Sequence, residues 1–513
     1  MPQVSRLAGI AKNLTASFSS HLVATLQQVL LTPLLLKTYG AAGFGEWLTL
    51  SACVSYLGTL DFGIQTFVNQ DLTVRYHGGD MKEFHVLQST ALRMLLGIVL
   101  TAGTLALVIL VLPLEHWLKM DGSGSGPPLT AQVVRGAAFA LALQVLASII
   151  FGFLSGQFMV LGRAHIGGYW NNAKNVCLIL FALPCIVVHT SFRILAFSQL
   201  AAVLICTLGA LITLYRIGRD IFPTLRYWDG GSVGKILKPS GYFAMLFSCQ
   251  FLVYQAPILI LQRGIGPVAV AVFSVSRTVF SMTRNVINGI SQAIGPEITK
   301  LYGQRDWPRI GRLYDYSERV IFAMIPLANV GTLLLCPLLL TLWLRKPQMF
   351  VPNVYVLFAA VSVIISAKEH KLSFQYYTNM HREMARFMFG TYLALVAAWL
   401  LLVPRFGVSG LLWAWLVAES VQAIYTMRLN VKLFSSHERL AALYPIRMIV
   451  LSTALLASMV TILPRVASQS LPLQGALALC AGLSIVVIDV PLFGLIPVWA
   501  SLRDRFLKRS LSS

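Results

Sequence analysis

The sequence predicts an all-α polytopic membrane protein with about fourteen transmembrane helices, arranged as two six-helix halves plus a terminal pair. Three observations predict this class: hydrophobic residues make up 57% of the chain, only 12% of residues are charged, and the mean hydropathy is +0.73. Soluble domains carry about 25% charged residues. A chain of 513 residues has room for a dozen or more spans, since each needs about 20 residues.

Apolar stretches long enough to cross a bilayer follow one another along the whole chain. Their boundaries are uncertain by a few residues, because hydropathy changes gradually at each end. The predicted spans are residues 14–36, 44–70, 88–113, 136–161, 168–189, 193–215, 239–261, 267–296, 317–344, 353–379, 384–403, 407–428, 444–464 and 473–498.

The basic residues favour one side of the membrane. The net charge is +21, which in a soluble protein would suggest a nucleic-acid partner. With the N-terminus in the cytoplasm, the inside segments carry 25 Lys and Arg and the outside segments carry 9. The positive-inside rule expects this asymmetry, so both termini are predicted to be cytoplasmic. The basic residues are expected to face the anionic lipids of the inner leaflet, and no nucleic-acid partner is predicted.

Internal repeats predict the domain organisation. Tyr76 to Asp80 matches Tyr302 to Asp306 at an offset of 226, and Gln157 to Met159 matches Gln375 to Tyr377 at an offset of 218. An offset of six spans keeps each partner on the same side of the membrane, which predicts parallel halves. The predicted divisions are an N-terminal half (1–217), a cytoplasmic linker (218–238), a C-terminal half (239–435), and two extra helices with a basic cytoplasmic tail (436–513).

Basic side chains inside predicted spans are the main functional feature. An ion at bilayer depth costs roughly 2.5–3.5 kcal/mol on insertion scales, so such a side chain normally faces a partner or a wet cavity. Arg277 and Arg284 are seven residues apart in span eight, which places them within about 20° of each other on a helix. Lys368 and Lys371 share one flank of span ten, and Lys174 lies in span five. These five residues are predicted to form a cationic substrate-binding cavity for an anionic ligand, because Lys and Arg side chains pair with anionic oxygens.

Acidic side chains in the spans leave other interpretations open. Asp61, Glu369 and Glu419 could bind a coupling H+ or Na+, or could be counter-ions for the arginines, and the second role is favoured. Simple structural pairing of acids with bases is a further alternative. The seven cysteines show no CxxC or Cys/His spacing, so no metal site and no cofactor are predicted.

Two segments resemble a known family. The run Tyr39-Gly40-Ala41-Ala42-Gly43-Phe44-Gly45-Glu46-Trp47, followed by Leu60-Asp61-Phe62-Gly63, resembles the first-to-second-helix signature of bacterial polysaccharide-unit (O-antigen type) flippases. Those flippases belong to the multidrug, oligosaccharidyl-lipid and polysaccharide exporter superfamily. Gly266-Pro267-Val268-Ala269, with Phe273 to Arg277, resembles the eighth helix of the same family.

The resemblance implies a flippase of the bacterial inner membrane. It would move a polyprenyl-diphosphate-linked oligosaccharide from the inner to the outer leaflet by alternating access, for lipopolysaccharide or other cell-surface polysaccharide synthesis. The partners it implies are the lipid-linked saccharide, membrane lipids, a coupling H+ or Na+ and a polysaccharide polymerase.

Three other functions are weighed against this one. A cation-coupled multidrug exporter of the superfamily would be expected to carry a carboxylate in the first helix, and residues 14–36 contain none. A lipid II flippase would be expected to carry arginines there, and no arginine lies between Arg6 and Arg75. An enzyme is not predicted, because the largest outside segment, Leu114 to Arg135, offers no paired acids or bases.

Overall fold

The computed structural model describes residues 3–120, 122, 124–378, 380, 382–434 and 443–495. Contacts divide the chain into two compact units, residues 1–271 and 272–513. The division of the sequence at 217, 238 and 435 rests on the repeats and stays a prediction.

The first unit is built from nine α-helices among its described residues. They are α1 Gln3–Ser55, α2 Ile64–His77, α3 Met81–Ala106, α4 Leu114–Trp117, α5 Ala131–Val160, α6 Ala164–Val187, α7 Phe192–Ile217, α8 Gly231–Tyr254 and α9 Ala256–Gly264. At its centre, α5 packs against α1, α2, α3, α6 and α7. Buried small residues such as Ala137 and Ala140 on α5 and Ala202 and Ala210 on α7 allow the close backbone approach that membrane helices need.

The second unit is also built from α-helices among its described residues. Its helices are α10 Pro267–Ala293, which begins just before the boundary between the units, α11 Gly295–Gly303, α12 Trp307–Leu339, α13 Pro352–Tyr377, α14 Arg382–Phe434, α15 Leu443–Ala467 and α16 Leu471–Leu492. Helix α13 packs against α12, α14 and α15. This position buries most of its side chains and makes α13 the core of the unit.

The structure confirms an all-α, multi-pass membrane protein. The described residues contain no β-strand, and each of the fourteen predicted spans overlaps a helix. Over these same residues, ten helices are long and apolar enough to cross a membrane. Helix α14, 53 residues long, covers two predicted spans.

Two long helices change direction at glycines. Gly40 in α1 has φ 73° and ψ 178°, and Gly407 in α14 has φ 62° and ψ −146°. Both conformations favour glycine, because a Cβ atom is strained at positive φ. At the second break the two arms of α14 fold back on each other, since Trp399 Nε1 donates a hydrogen bond to the Leu411 carbonyl at 2.9 Å. The sequence predicts both breaks, between spans one and two and between spans eleven and twelve.

The second predicted span, 44–70, is wrong as one continuous helix. Helix α1 ends at Ser55, a 3₁₀ turn runs over Tyr56–Asp61, and α2 begins at Ile64. Phe62 and Gly63 between them have φ 48° and 72°. The Leu60-Asp61-Phe62-Gly63 motif is therefore the point at which a membrane helix is interrupted.

The turns matched at an offset of 226 have the same geometry. The N–H groups of Gly79, Asp80 and Met81 donate to the carbonyls of Tyr76, Arg75 and Gly79. Residues 305, 306 and 307 repeat these bonds with the carbonyls of residues 302, 301 and 305. The Asp80 carboxylate accepts from the Glu83 N–H, and the Asp306 carboxylate accepts from the Arg309 N–H, each at 3.2 Å. Each aspartate thus caps the following helix, which supports the repeat.

The glycine-rich loop between α4 and α5 packs against the segment of α1 that carries the family resemblance. Gly122 N–H donates to Glu46 Oε1 at 2.9 Å, and Ser125 N–H donates to the Tyr39 carbonyl at 3.1 Å. A Cβ atom on Gly124 would lie 2.9 Å from the Gly43 Cα. The glycines are therefore needed where two backbones meet.

The segment before α8 is held on α3 by three consecutive polar side chains. Gln88 Nε2 donates to the Ile221 carbonyl at 2.8 Å. Ser89 Oγ accepts from the Tyr227 N–H at 3.0 Å, and Thr90 Oγ1 accepts from the Asp229 N–H at 3.2 Å. The predicted linker thus begins with a 3₁₀ turn over Arg219–Ile221 and continues without regular structure, attached to α3, until α8 begins at Gly231.

Candidate functional site

The predicted site residues divide between the two units. Arg277 and Arg284 lie on α10, Lys368, Lys371 and Glu369 lie on α13, and Glu419 lies on α14, all in the second unit. Asp61 and Lys174 lie in the first unit. The second unit therefore contains the densest group of charged side chains predicted from the sequence.

Lys368 forms a buried ion pair with Glu419. Its Nζ lies 2.5 Å from Glu419 Oε2, and the two side chains are 4% and 1% exposed. The same Nζ donates to Tyr392 Oη and to Gln422 Oε1, both at 2.9 Å. Glu419 Oε1 accepts from the Tyr392 hydroxyl at 2.9 Å and from Trp415 Nε1 at 3.0 Å. This network joins α13 to both arms of α14.

Lys371 forms a second buried pair, with Glu318 on α12. Its Nζ also donates to Tyr314 Oη at 2.6 Å and lies 5.0 Å from the ring centroid of Phe322. The Lys371 carbonyl accepts from Asn430 Nδ2 at 2.9 Å. This pair therefore links α13 to α12, while the backbone of Lys371 is held by α14. Taking two ions out of water is costly unless their geometry and additional hydrogen bonds compensate, and Lys371 has both.

Polar groups continue along α13 beside these pairs. Gln375 Nε2 donates to Asn430 Oδ1 at 2.6 Å. His370 is fully buried, with Nδ1 3.2 Å from Ser291 Oγ and Nε2 3.4 Å from Ser317 Oγ. The core of the second unit thus carries a polar layer in an otherwise apolar interior.

The arginines of α10 have different exposures. Arg277 is half-buried, and its guanidinium carbon lies 5.4 Å from the ring centroid of Phe273. Arg284 is 7% exposed. One turn further along, Asn288 Nδ2 donates to Glu369 Oε2 at 2.5 Å, so this carboxylate joins α10 to α13.

The two predicted site residues of the first unit, Asp61 and Lys174, each contact a residue of the same unit. Asp61 Oδ1 accepts from the Gly63 N–H at 2.9 Å and so stabilises the interruption before α2. Lys174 Nζ lies 4.6 Å from the ring centroid of Phe151, a cation–π contact. Both observations show how each charge is accommodated at its position. In the described part of the chain, no group of three or more His, Cys, Asp and Glu is arranged to hold a metal ion.

Sequence reasoning missed Glu318. It lies at the edge of the predicted span 317–344, where charged residues are ordinary. Tyr314, Tyr392 and Gln422 were also missed, because nothing in their spacing marks them as lysine partners. Their roles depend on contacts between helices that are distant in the sequence.

Comparison with known proteins identifies the fold. No protein-family model matches the chain, and no curated protein matches its sequence. The structure of the lipid II flippase MurJ, in an inward closed conformation, matches with a TM-score of 0.68 at 9% identity, over 94% of this chain and 100% of that chain. An inward-facing multidrug resistance MATE family transporter of the MOP superfamily matches with a TM-score of 0.64 at 14% identity, over 80% of this chain and 96% of that chain.

A third match has the same fold. The MATE multidrug transporter DinF-BH, in complex with R6G, gives a TM-score of 0.57 at 17% identity, over 84% of this chain and 96% of that chain. The fold of this chain is therefore the one shared by these MATE transporters and MurJ. This confirms the fold expected from the superfamily resemblance.

Proposed function

We propose that this protein is a flippase that moves a polyprenyl-diphosphate-linked oligosaccharide from the inner to the outer leaflet by alternating access. The observation that supports this proposal is the group of basic side chains on α10 and α13, in a chain with the fold of a lipid II flippase. Guanidinium groups suit the diphosphate of such a cargo, because their donors match phosphate oxygens in a bidentate fork. A bacterial inner-membrane location with both termini in the cytoplasm belongs to the same proposal.

The contacts of the basic residues refine their proposed roles. Lys368 and Lys371 are almost fully buried and are paired with glutamates, so a ligand reaches them only if those pairs open. Arg277 is half-buried on α10 and can meet a ligand in the described conformation. We therefore assign the first contact with the diphosphate to Arg277, and a second, deeper contact on the same helix to Arg284, which is 7% exposed. The two lysine–glutamate pairs become the groups that reorganise during transport.

The matches supply two further candidates of the same fold. The MurJ structure matches 94% of this chain, and the MATE structures match 80% and 84%. A lipid II flippase and a cation-coupled multidrug exporter are therefore the alternatives to the proposed function. Glu419 in its ion pair and Glu369 beside Asn288 remain proposed coupling or counter-ion groups, together with Asp61.

Export measurements on variants test the proposal. Arg284→Ala should abolish export of the saccharide while the protein stays in the membrane, and Arg284→Lys should recover part of it, because lysine keeps the charge but loses the fork. Arg465→Ala, on an exposed turn at the end of α15, is the matched control and should export normally. Normal export by Arg284→Ala at normal abundance would contradict the proposal.

Export by variants of the Lys368–Glu419 pair distinguishes a cargo-binding role of Lys368 from a structural one. Lys368→Ala alone leaves Glu419 buried without its partner and should stop export. Lys368→Ala/Glu419→Ala removes both charges. Export should stay absent in the double variant if Lys368 meets the cargo, whereas recovery of export would assign the pair to structure only.

A further inference from the structure

A groove of about 610 Å³ lies in the first unit, and the charged residues of the second unit do not line it. One wall is α3, from Arg93 to Leu105. The other wall includes Phe62, from the interrupted second span, and Trp228, from the segment before α8. Apart from its Arg93 end, the lining is almost entirely apolar.

The polar end of the groove is defined by Arg93. Its guanidinium donates a hydrogen bond to the Leu225 carbonyl and lies 5.7 Å from the ring centroid of Trp228. Both Arg93 and Trp228 are exposed. A guanidinium has five N–H donors, so further donors are free for an anionic oxygen. Tryptophan is enriched at membrane–water interfaces, and arginine is enriched in cytoplasmic loops.

The apolar part of the groove has the length of one leaflet. From Arg93 to Leu105 is twelve residues of helix, or roughly 18 Å along the axis. One leaflet contributes about 15 Å of the hydrocarbon core. Arg93 lies midway along α3, one turn after Ser89 and Thr90, which bind the backbone of the irregular segment before α8. Irregular, exposed backbone does not lie in the hydrocarbon core, so the Arg93 end of the groove lies near a membrane surface, which the distribution of Lys and Arg predicts to be the inner one.

We propose that this groove binds one anionic phospholipid of the inner leaflet, with its phosphate on Arg93 and an acyl chain along α3. The charge at one end, the apolar lining and the length of one leaflet fit this occupant. A polyprenyl chain is much longer than one leaflet, so its length does not match that of the groove. The bound lipid would contact α3, Phe62 and Trp228 together, and would stabilise the attachment of the linker to the first unit.

Native mass spectrometry of the purified, delipidated full-length protein tests the proposal. We expect tighter retention of phosphatidylglycerol than of phosphatidylcholine with the same acyl chains. Arg93→Gln should weaken phosphatidylglycerol binding roughly tenfold, which corresponds to the loss of one charge-assisted hydrogen bond, and should change phosphatidylcholine binding less.

A second variant tests the apolar part of the groove. Gly97 lies on its floor, and a Cβ atom there would meet nothing within 4 Å, so Gly97→Leu fills the groove without a backbone clash. It should weaken the retention of both lipids. Two control variants should bind both lipids as the wild type does. Arg163→Gln removes an exposed arginine in the turn between α5 and α6, and Gly482→Leu adds a side chain at an open position on α16.

Unchanged lipid binding in Arg93→Gln and Gly97→Leu would overturn the proposal, as would an equal loss in the controls. Tighter retention of polyprenyl phosphate than of phosphatidylglycerol, lost in the same two variants, would overturn the assignment to a phospholipid.

Discussion

At the scale of single residues, the Lys371–Glu318 pair shows what a charge inside this protein requires. Both side chains are almost fully buried. Lys371→Met should lower the free energy of unfolding by about 3–5 kcal/mol, because it leaves the Glu318 carboxylate buried without its partner. Thermal unfolding of the purified protein in detergent measures this loss.

The double variant Lys371→Met/Glu318→Gln should recover most of that stability, since replacing both members of a buried pair is often neutral. Lys300→Met is the control, because its pair with Glu297 is exposed and 3.7 Å long, and exposed pairs contribute about 0–1 kcal/mol. Equal losses of stability in Lys371→Met and Lys300→Met would show that the buried pair contributes no more to the free energy of unfolding than the exposed pair does.

The sequence predicted which residues carry the buried charge more reliably than it predicted their partners. Lys368 and Lys371 stand out because lysine is rare in an apolar span. Glu419 was identified as a counter-ion candidate, although for arginine and not for lysine. The spacing within one helix is fixed by its geometry, whereas a partner on another helix depends on how the helices pack, which a single sequence does not contain.

At the scale of elements, the break in α14 depends on one glycine. Gly407→Ala should destabilise the protein by about 1–3 kcal/mol, because a Cβ atom is strained at φ 62° and ψ −146°. Gly390→Ala, in a regular and open part of the same helix, should be neutral or slightly stabilising. Thermal unfolding compares the two, and equal stability of both variants would contradict the role of Gly407.

The helices were largely predictable, and the interruptions were predictable only in part. A break is visible in the sequence when a polar or glycine-containing segment separates two apolar stretches, as at Gly40 and Gly407. The interruption at Tyr56–Asp61 lies within an apolar stretch, and hydropathy alone gives a continuous span. The identical turns at Asp80 and Asp306 were predictable because their capping depends on a local sequence.

At the scale of the whole molecule, the fourteen spans predicted from the sequence are an even number, which would place both termini on one side of the membrane. The distribution of Lys and Arg predicts that this side is the cytoplasm. Reporter fusions at Ser125 and at Ser513 should therefore localise to opposite sides, outside and inside. Localisation of both reporters on the same side would rule out the predicted topology.

The central claim is that this protein moves a lipid-linked saccharide across the bilayer, and reconstitution in liposomes tests it most directly. Vesicles would carry a labelled polyprenyl-diphosphate oligosaccharide, and the fraction accessible to an external reagent would be followed with time. The wild type should increase that fraction, and Arg284→Ala should leave it at the level of empty vesicles. No movement of the oligosaccharide by the wild type, with active transport of a cationic drug or of lipid II in the same vesicles, would contradict the claim.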